Sequence, residues 1–226
     1  MKTSNKLLAT LAFIILVSMT SFTILLKTEY RKAAAKSDIS KQIIKLKAFD
    51  NLEVLSENGI EISIEEGTEY SIKNAHNVKV VGSTLKIDTL TEVFGNIVIT
   101  MPKLPAIKLN GYEIALNING KTNKFANNTL QVNCNATGLL KLNNCDLASA
   151  NIKTENVAII NSWWDDSERY FNFRLKDSKI AHSDITLNGK SSLLLKNTLL
   201  LSPTFSLSDS ASISIEGNAM NPFVKK

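Results

Sequence analysis

After residue 47 the chain alternates. Phe49, Leu52 and Val54 lead into Ile60, Ile62 and Ile64, and Glu61, Ser63 and Glu65 fill the gaps between the isoleucines. A spacing of two turns one set of side chains to a core and the other to water, as in a half-buried β-strand. The pattern continues at Tyr70–Ile72, Val78–Val80, Leu85–Ile87 and Ile97–Ile99, and Pro102 and Pro105 then mark a strand boundary. From Ile107 it breaks into short units: Leu130–Val132–Cys134, Leu140–Leu142, Val157–Ile159, Phe171–Phe173–Leu175, Ile185–Leu187, Leu193–Leu195, Leu199–Leu201, Phe205–Leu207 and Ile213–Ile215. No stretch beyond residue 47 has a helical period. Many short strands leave a sandwich, a barrel or a solenoid.

Three features favour the solenoid. The strands are very short. Two-residue hairpin signals are scarce after Gly120. Asparagine is dense, with thirteen between residues 110 and 161, and it tolerates the left-handed backbone that a coiling chain needs at its bends. Three strands of about eight residues make a coil of roughly 22–26 residues, within the range of stacked repeats. Residues 48–105 look more hairpin-like, with turns expected at Asn58–Gly59 and Glu66–Gly67, and would cap one open end. The expected fold is therefore all-β: a single-stranded parallel β-helix or solenoid-like domain, preceded by one N-terminal transmembrane α-helix.

That helix is expected at Leu7–Leu26, twenty residues without a charge. At about 1.5 Å rise per residue it spans a bilayer core. Met1–Lys6 before it is basic, and Lys27, Arg31, Lys32 and Lys36 follow. A cleaved export peptide is the rival reading, with Leu7–Val17 as its core. The expected organisation is a basic N-terminus (1–6), an anchor held by membrane lipid (7–26), a basic linker (27–47), the solenoid (48–218) and a tail (219–226). A positive-inside count favours a cytoplasmic body, whereas the short basic head resembles an export signal. The body is expected in the periplasm or at the cell surface, with the cytoplasmic orientation left open.

The charge balance separates tether from body. Residues 1–47 carry nine Lys and Arg against two acids, and the remainder carries 17 against 19. The basic charge belongs to the membrane flanks, so a nucleic-acid partner is not expected. Residues 48–72 hold seven acids and no base, a solvated strand face or a site for a cation or basic partner.

The run Phe49-Asp50-Asn51-Leu52-Glu53-Val54 is followed by Gly59-Ile60-Glu61-Ile62-Ser63-Ile64-Glu65-Glu66-Gly67, then by Gly82-Ser83-Thr84-Leu85-Lys86-Ile87 and Met101-Pro102-Lys103-Leu104-Pro105. With the apolar N-terminus and the Asn-rich coils, this order resembles the bacterial "putative autotransporter adhesin head GIN domain" family over residues 48–216. The resemblance implies a β-solenoid on an exported or membrane-anchored protein and brings no catalytic residues. The chain departs from the family pattern in having only nine glycines and an insertion-like aromatic stretch around Trp163.

That stretch is the most unusual local feature. Trp163, Trp164, Asp165 and Asp166 run on to Glu168, Arg169 and Tyr170. Exposed aromatics beside carboxylates suit a glycan or a protein pocket, and a bulky loop over the wall is the plainer reading. The same carboxylates raise a second possibility, a carbohydrate-active enzyme on a β-helix, although neighbours in sequence do not secure two carboxylates across a bond, and lyase-type chemistry would need Arg169, Arg174 and Lys176 to converge as bases on the same groove. His182-Ser183-Asp184 has triad residue types but alternates faces. Cys134 and Cys145 either pair as a disulfide or sit as two small buried groups. No metal or cofactor motif occurs. The leading expectation is a non-enzymatic, membrane-anchored envelope protein, adhesin-like or scaffold, with an unknown protein or glycan partner. The enzyme and a membrane-tethered sensor are the alternatives.

Overall fold

The computed structural model describes residues 17–30, 43–88, 90–155 and 171–217. The chain divides into two units, Met1–Gln42 and Ile43–Lys226. In the first, residues 17–30 are helical. Thr20, Thr23 and Thr28 donate their hydroxyls back to the carbonyls of Val17, Met19 and Ile24 at 2.9, 2.7 and 2.8 Å. Their polar groups are thus satisfied within the helix. No helix among the described residues is long and apolar enough to cross a membrane. Residues 7–16, the first half of the expected span, lie outside the described residues.

The second unit is one mixed sheet of fifteen strands that does not close on itself. The strands are β1 (Ile43–Lys45), β2 (Asn51–Ser56), β3 (Ile60–Glu66), β4 (Ser71–His76), β5 (Lys79–Val81), β6 (Thr84–Ile87), β7 (Glu92–Met101) and β8 (Ala106–Asn119). They continue with β9 (Thr129–Asn143), β10 (Asp146–Thr154), β11 (Phe171–Lys176), β12 (Lys179–Leu187), β13 (Ser191–Lys196), β14 (Leu199–Leu207) and β15 (Ser212–Glu216). No α-helix occurs among the described residues from 43 onward.

Most ladders are parallel, and beyond β8 they recur at a fixed offset. Thr129 pairs with Ser149, Phe171 with Ser191 and Lys179 with Leu199, twenty residues apart each time. Between β8 and β9 the offset is 24 or 25, as in Ile114 with Gly138 and Ala106 with Gln131. The repeat is thus shorter than the expected 22–26 residues over the C-terminal half. Where a ladder crosses residues 156–170 it widens to 33, as in Asp146 with Lys179 and Gly138 with Phe171. Those residues therefore hold an insertion thirteen residues longer than the repeat needs (33 against 20).

Stacking lines up the core. Leu52, Ile107, Val132, Ile152 and Ile185 pair in succession and all are buried. Each such side chain contributes about 1.5–3 kcal/mol by leaving water. The bends between strands are left-handed: Asn144, Asp177 and Asn197 have φ of 53°, 49° and 49°. Each sits two residues before a long strand and donates its backbone N–H to the next rung, to the carbonyls of Lys176, Lys196 and Glu216 at 3.1 Å. Asn and Asp bear this conformation better than other side chains.

Three expectations need correction. Asn58–Gly59 does not join a hairpin: β2 and β3 both run parallel to β8 and do not pair with each other. The linker expected over 27–47 ends early, because Ile43–Lys45 forms β1 and pairs antiparallel with β4. In the all-apolar run Leu199–Leu201 it is Leu200 that is buried, while Leu199 and Leu201 are exposed. Alternation alone cannot choose the phase of three consecutive leucines.

Candidate functional site

The stacking that builds the core also lines up what faces out. Thr129, Ser149, His182 and Ser202 are register partners on β9, β10, β12 and β14. Two residues further along each strand, Gln131, Asn151, Asp184 and Thr204 form a second column. Residues i and i+2 share a face, so both columns project from the same wall. Ala150 and Ser183 lie between them, buried, and form the floor. The result is a shallow groove of about 520 Å³, lined by these residues. Six of the eight wall side chains are hydroxyls or amides, one is His182 and one is Asp184; no Lys, Arg, Phe, Tyr or Trp is among the lining residues. Thr129 and Ser149 are hydrogen-bonded through their hydroxyls at 2.9 Å, which ties two rungs of one column together.

His182 and Asp184 both face outward and Ser183 faces in, so the three do not converge. The Ser183 Oγ is buried without a hydrogen-bond partner among the described residues. Its ladder partners, Ala150 and Pro203, have no side-chain hydroxyl to offer.

Trp163, Trp164, Asp165, Asp166 and Tyr170 lie outside the described residues, as do Glu168 and Arg169. The ends of that insertion are well seated. Thr154 is buried; its Oγ1 donates to the Asn188 carbonyl at 3.1 Å and accepts from the Asn188 N–H at 2.6 Å. At the return, Phe171 packs on Phe173 with ring centroids 4.8 Å apart. Arg174 and Lys176 are outward residues of β11.

Cys134 and Cys145 are free and buried, so the disulfide the sequence allowed is not made. Cys134 continues an inner column between Leu109 and Thr154. Burial pushes both thiols up to about 12. Such thiols are poor nucleophiles and metal ligands. No group of three His, Cys, Asp or Glu among the described residues could hold a metal ion.

Three glutamates of the acidic segment 48–72 have partners within the fold. Glu66 is buried, and its Oε2 accepts the backbone N–H groups of Lys121, Asn123 and Lys124 at 2.9, 3.0 and 3.1 Å. Its Oε1 accepts from Phe125 at 3.2 Å. Successive N–H groups converging on one carboxylate form a nest that fixes the loop between β8 and β9. Glu53 and Glu65 pair outward with lysines, Glu53 with Lys86 and Lys108 and Glu65 with Lys121.

The groove could not be found from local motifs, because its residues recur only at offsets of twenty and 33. The polar-x-polar triplets Thr129-x-Gln131, Ser149-x-Asn151, His182-x-Asp184 and Ser202-x-Thr204 were the available signal.

No family model and no curated protein matches the chain. Several solved structures resemble it loosely, and two serve as examples. One is a "putative adhesin" from Bacteroides fragilis NCTC 9343, with TM-score 0.38 and 16% identity, covering 79% of this chain and 99% of that one. The other is a "putative adhesin" from Parabacteroides distasonis ATCC 8503, with TM-score 0.31 and 10% identity, covering 78% and 95%. At these TM-scores neither likeness bears on what the groove holds.

Proposed function

We propose that this chain is a non-enzymatic, adhesin-like protein of the bacterial cell envelope, tethered by residues 7–26, whose β-solenoid wall binds a hydroxyl-rich partner, a glycan, outside the cytoplasm. The observation that carries the reading is the groove: two register-aligned columns of hydroxyl and amide side chains across four parallel strands. Such groups recognise sugar hydroxyls through hydrogen bonds that serve as donor and acceptor alike. The twenty-residue parallel register supports the solenoid, and the motif resemblance over residues 48–216 supports the GIN-domain family. For the tether, the support is the uncharged run itself and the internally satisfied threonines of its second half. His182 and Asp184 offer no pair of carboxylates flanking a bond, which favours binding over cleavage.

The test uses the full-length protein in detergent micelles on a panel of immobilised polysaccharides. Retention of at least one glycan, lost in the double variant Asn151→Ala/Asp184→Ala, is the expected result. Release of new reducing ends from any panel member would overturn the non-enzymatic reading. Carbonate extraction of cell membranes checks the tether: the protein stays with the pellet, and moves to the supernatant when residues 1–26 are deleted. Protease added to cells with a permeabilised outer layer is expected to digest the body; complete protection would place it in the cytoplasm.

A further inference from the structure

The groove has a direction. Its columns run across the strands, along the axis on which the coils stack, and each rung offers a pair of polar side chains in the same two positions. Neighbouring rungs are about 4.8 Å apart, so four rungs extend over about 14 Å. Two residues along a strand set the columns about 7 Å apart. That is too narrow for an α-helix, which is about 10 Å across with its side chains. An extended peptide is disfavoured for another reason. Strand addition needs a free backbone edge, and on this wall that edge is β14, where an added strand would lie along the strands and not across them as the groove does; β9, β10 and β12 have ladder partners on both sides. A polyanion would want cations, and the lining has no Lys or Arg. What remains is a thin, neutral, extended polymer carrying hydroxyl and amide groups at regular intervals.

We propose that the groove holds a single linear β-linked oligosaccharide lying along the stacking axis, one sugar unit to each rung. The four rungs then act as four subsites: Thr129 and Gln131, Ser149 and Asn151, His182 and Asp184, Ser202 and Thr204. The ring of each unit spans the two columns, and the backbone at Ala150 and Ser183 limits how deep it sits. Adjacent units in an extended β-1,4-linked chain advance by close to one rung, so the chain and the wall keep step over this short distance. N-acetylated units suit the wall best, because a carboxamide such as Gln131 or Asn151 meets an acetamido group through both donor and acceptor, and since successive β-1,4-linked units turn over, one of these two neighbouring rungs faces an acetamido group while the other faces hydroxyls. This rests on the glycan reading above and adds to it a direction, a subsite count and a ligand class.

The experiment is calorimetric titration of the full-length protein in detergent with β-1,4-linked N-acetylglucosamine oligomers, from the monomer to the heptamer. Affinity should rise with each added unit up to about four and then level off, since four rungs present contacts. Asn151→Ala and Asp184→Ala should each weaken the tetramer about tenfold. Arg174→Ala, on β11 and outside the groove, should leave it unchanged. Affinity that is flat from the dimer onward, or that still climbs at the heptamer, overturns the rung-by-rung arrangement. So does a failure of every length to bind. The glycan reading is judged separately by the polysaccharide panel, where retention through Asn151 and Asp184 can survive while this ligand fails. Thermal unfolding of each variant alongside wild type separates a lost contact from a lost fold.

Discussion

Between Ile43 and Met101 the chain pairs in both directions. β1 with β4, β4 with β7 and β5 with β6 are antiparallel, while β2 and β3 run parallel to strands more than thirty residues away. Between Thr129 and Glu216 every ladder is parallel, and all but those crossing the insertion repeat at twenty residues. The outer faces differ as well. The first region is laced with ion pairs such as Glu53 with Lys86 and Lys108, and the second carries columns made mostly of hydroxyl and amide side chains, and a groove. The first region mixes antiparallel neighbours with parallel partners at several different offsets. In the second, register is set locally, at the left-handed bends, and the outward face is left available for binding.

The largest break is expected where backbone passes very close to backbone, at Gly138. Gly138 has φ of 137°, and a Cβ there would come within 2.1 Å of the Ile114 carbonyl oxygen. Gly138→Val should cost about 4 kcal/mol or more, read as a collapse of the melting temperature. Gly82, whose Cβ would meet nothing within 4 Å, is the contrast; Gly82→Ala should cost about 1 kcal/mol, for its positive φ alone. Equal losses would mean that close packing does not set the register.

Glu66 sharpens the comparison from the N-terminal side, since it joins β3 to a loop more than fifty residues on. Glu66→Gln keeps the shape but turns an amide donor toward backbone donors. A loss of about 3 kcal/mol is expected in urea unfolding, with faster hydrogen exchange at Lys121–Phe125; unchanged exchange there would show that the carboxylate does not hold the loop. In the repeat region a single bend is worth less. Asn197→Ala loses the hydrogen bond to Asp177 and strains φ of 49°, for about 1 kcal/mol, and Asn197→Gly should recover most of it. Smallest is Glu53→Ala. Its lysine partners are more than half exposed, and the pair should be worth less than about 1 kcal/mol and fade with added salt.

Alkali tests the core of the repeat region from within. Folded Cys134 and Cys145 keep their protons to about 12, whereas unfolded thiols lose them near 9.0. The unfolded state therefore binds fewer protons over that interval. Stability should be constant in this respect below pH 9 and fall as pH rises toward 12. Replacing both cysteines with alanine should remove that part of the slope.

The strands and bends were legible because their causes are local. Alternation at Ile60–Ile64 needs only neighbouring residues, and Asn at 144 and 197 marks a left-handed turn through its own chemistry. Leu199–Leu201 was misread because no polar residue sets the phase. Asn58–Gly59 was misread because a tight turn looks the same whether the next strand folds back or runs on alongside another coil. Glu66 was invisible for a different reason: its four donors are backbone groups of a distant loop, and any sequence there has backbone. The groove was hidden by the insertion, which shifts its third and fourth rungs out of the twenty-residue phase.

That insertion also says how such a chain can vary. The twenty-residue phase holds on both sides of residues 156–170, and only the two ladders that straddle them register the added length. The chain can therefore lengthen, shorten or be exchanged at this point while the flanking strands keep their register. The position is a natural graft site, where a foreign epitope or a second recognition segment could be spliced in without redesigning the scaffold beneath it.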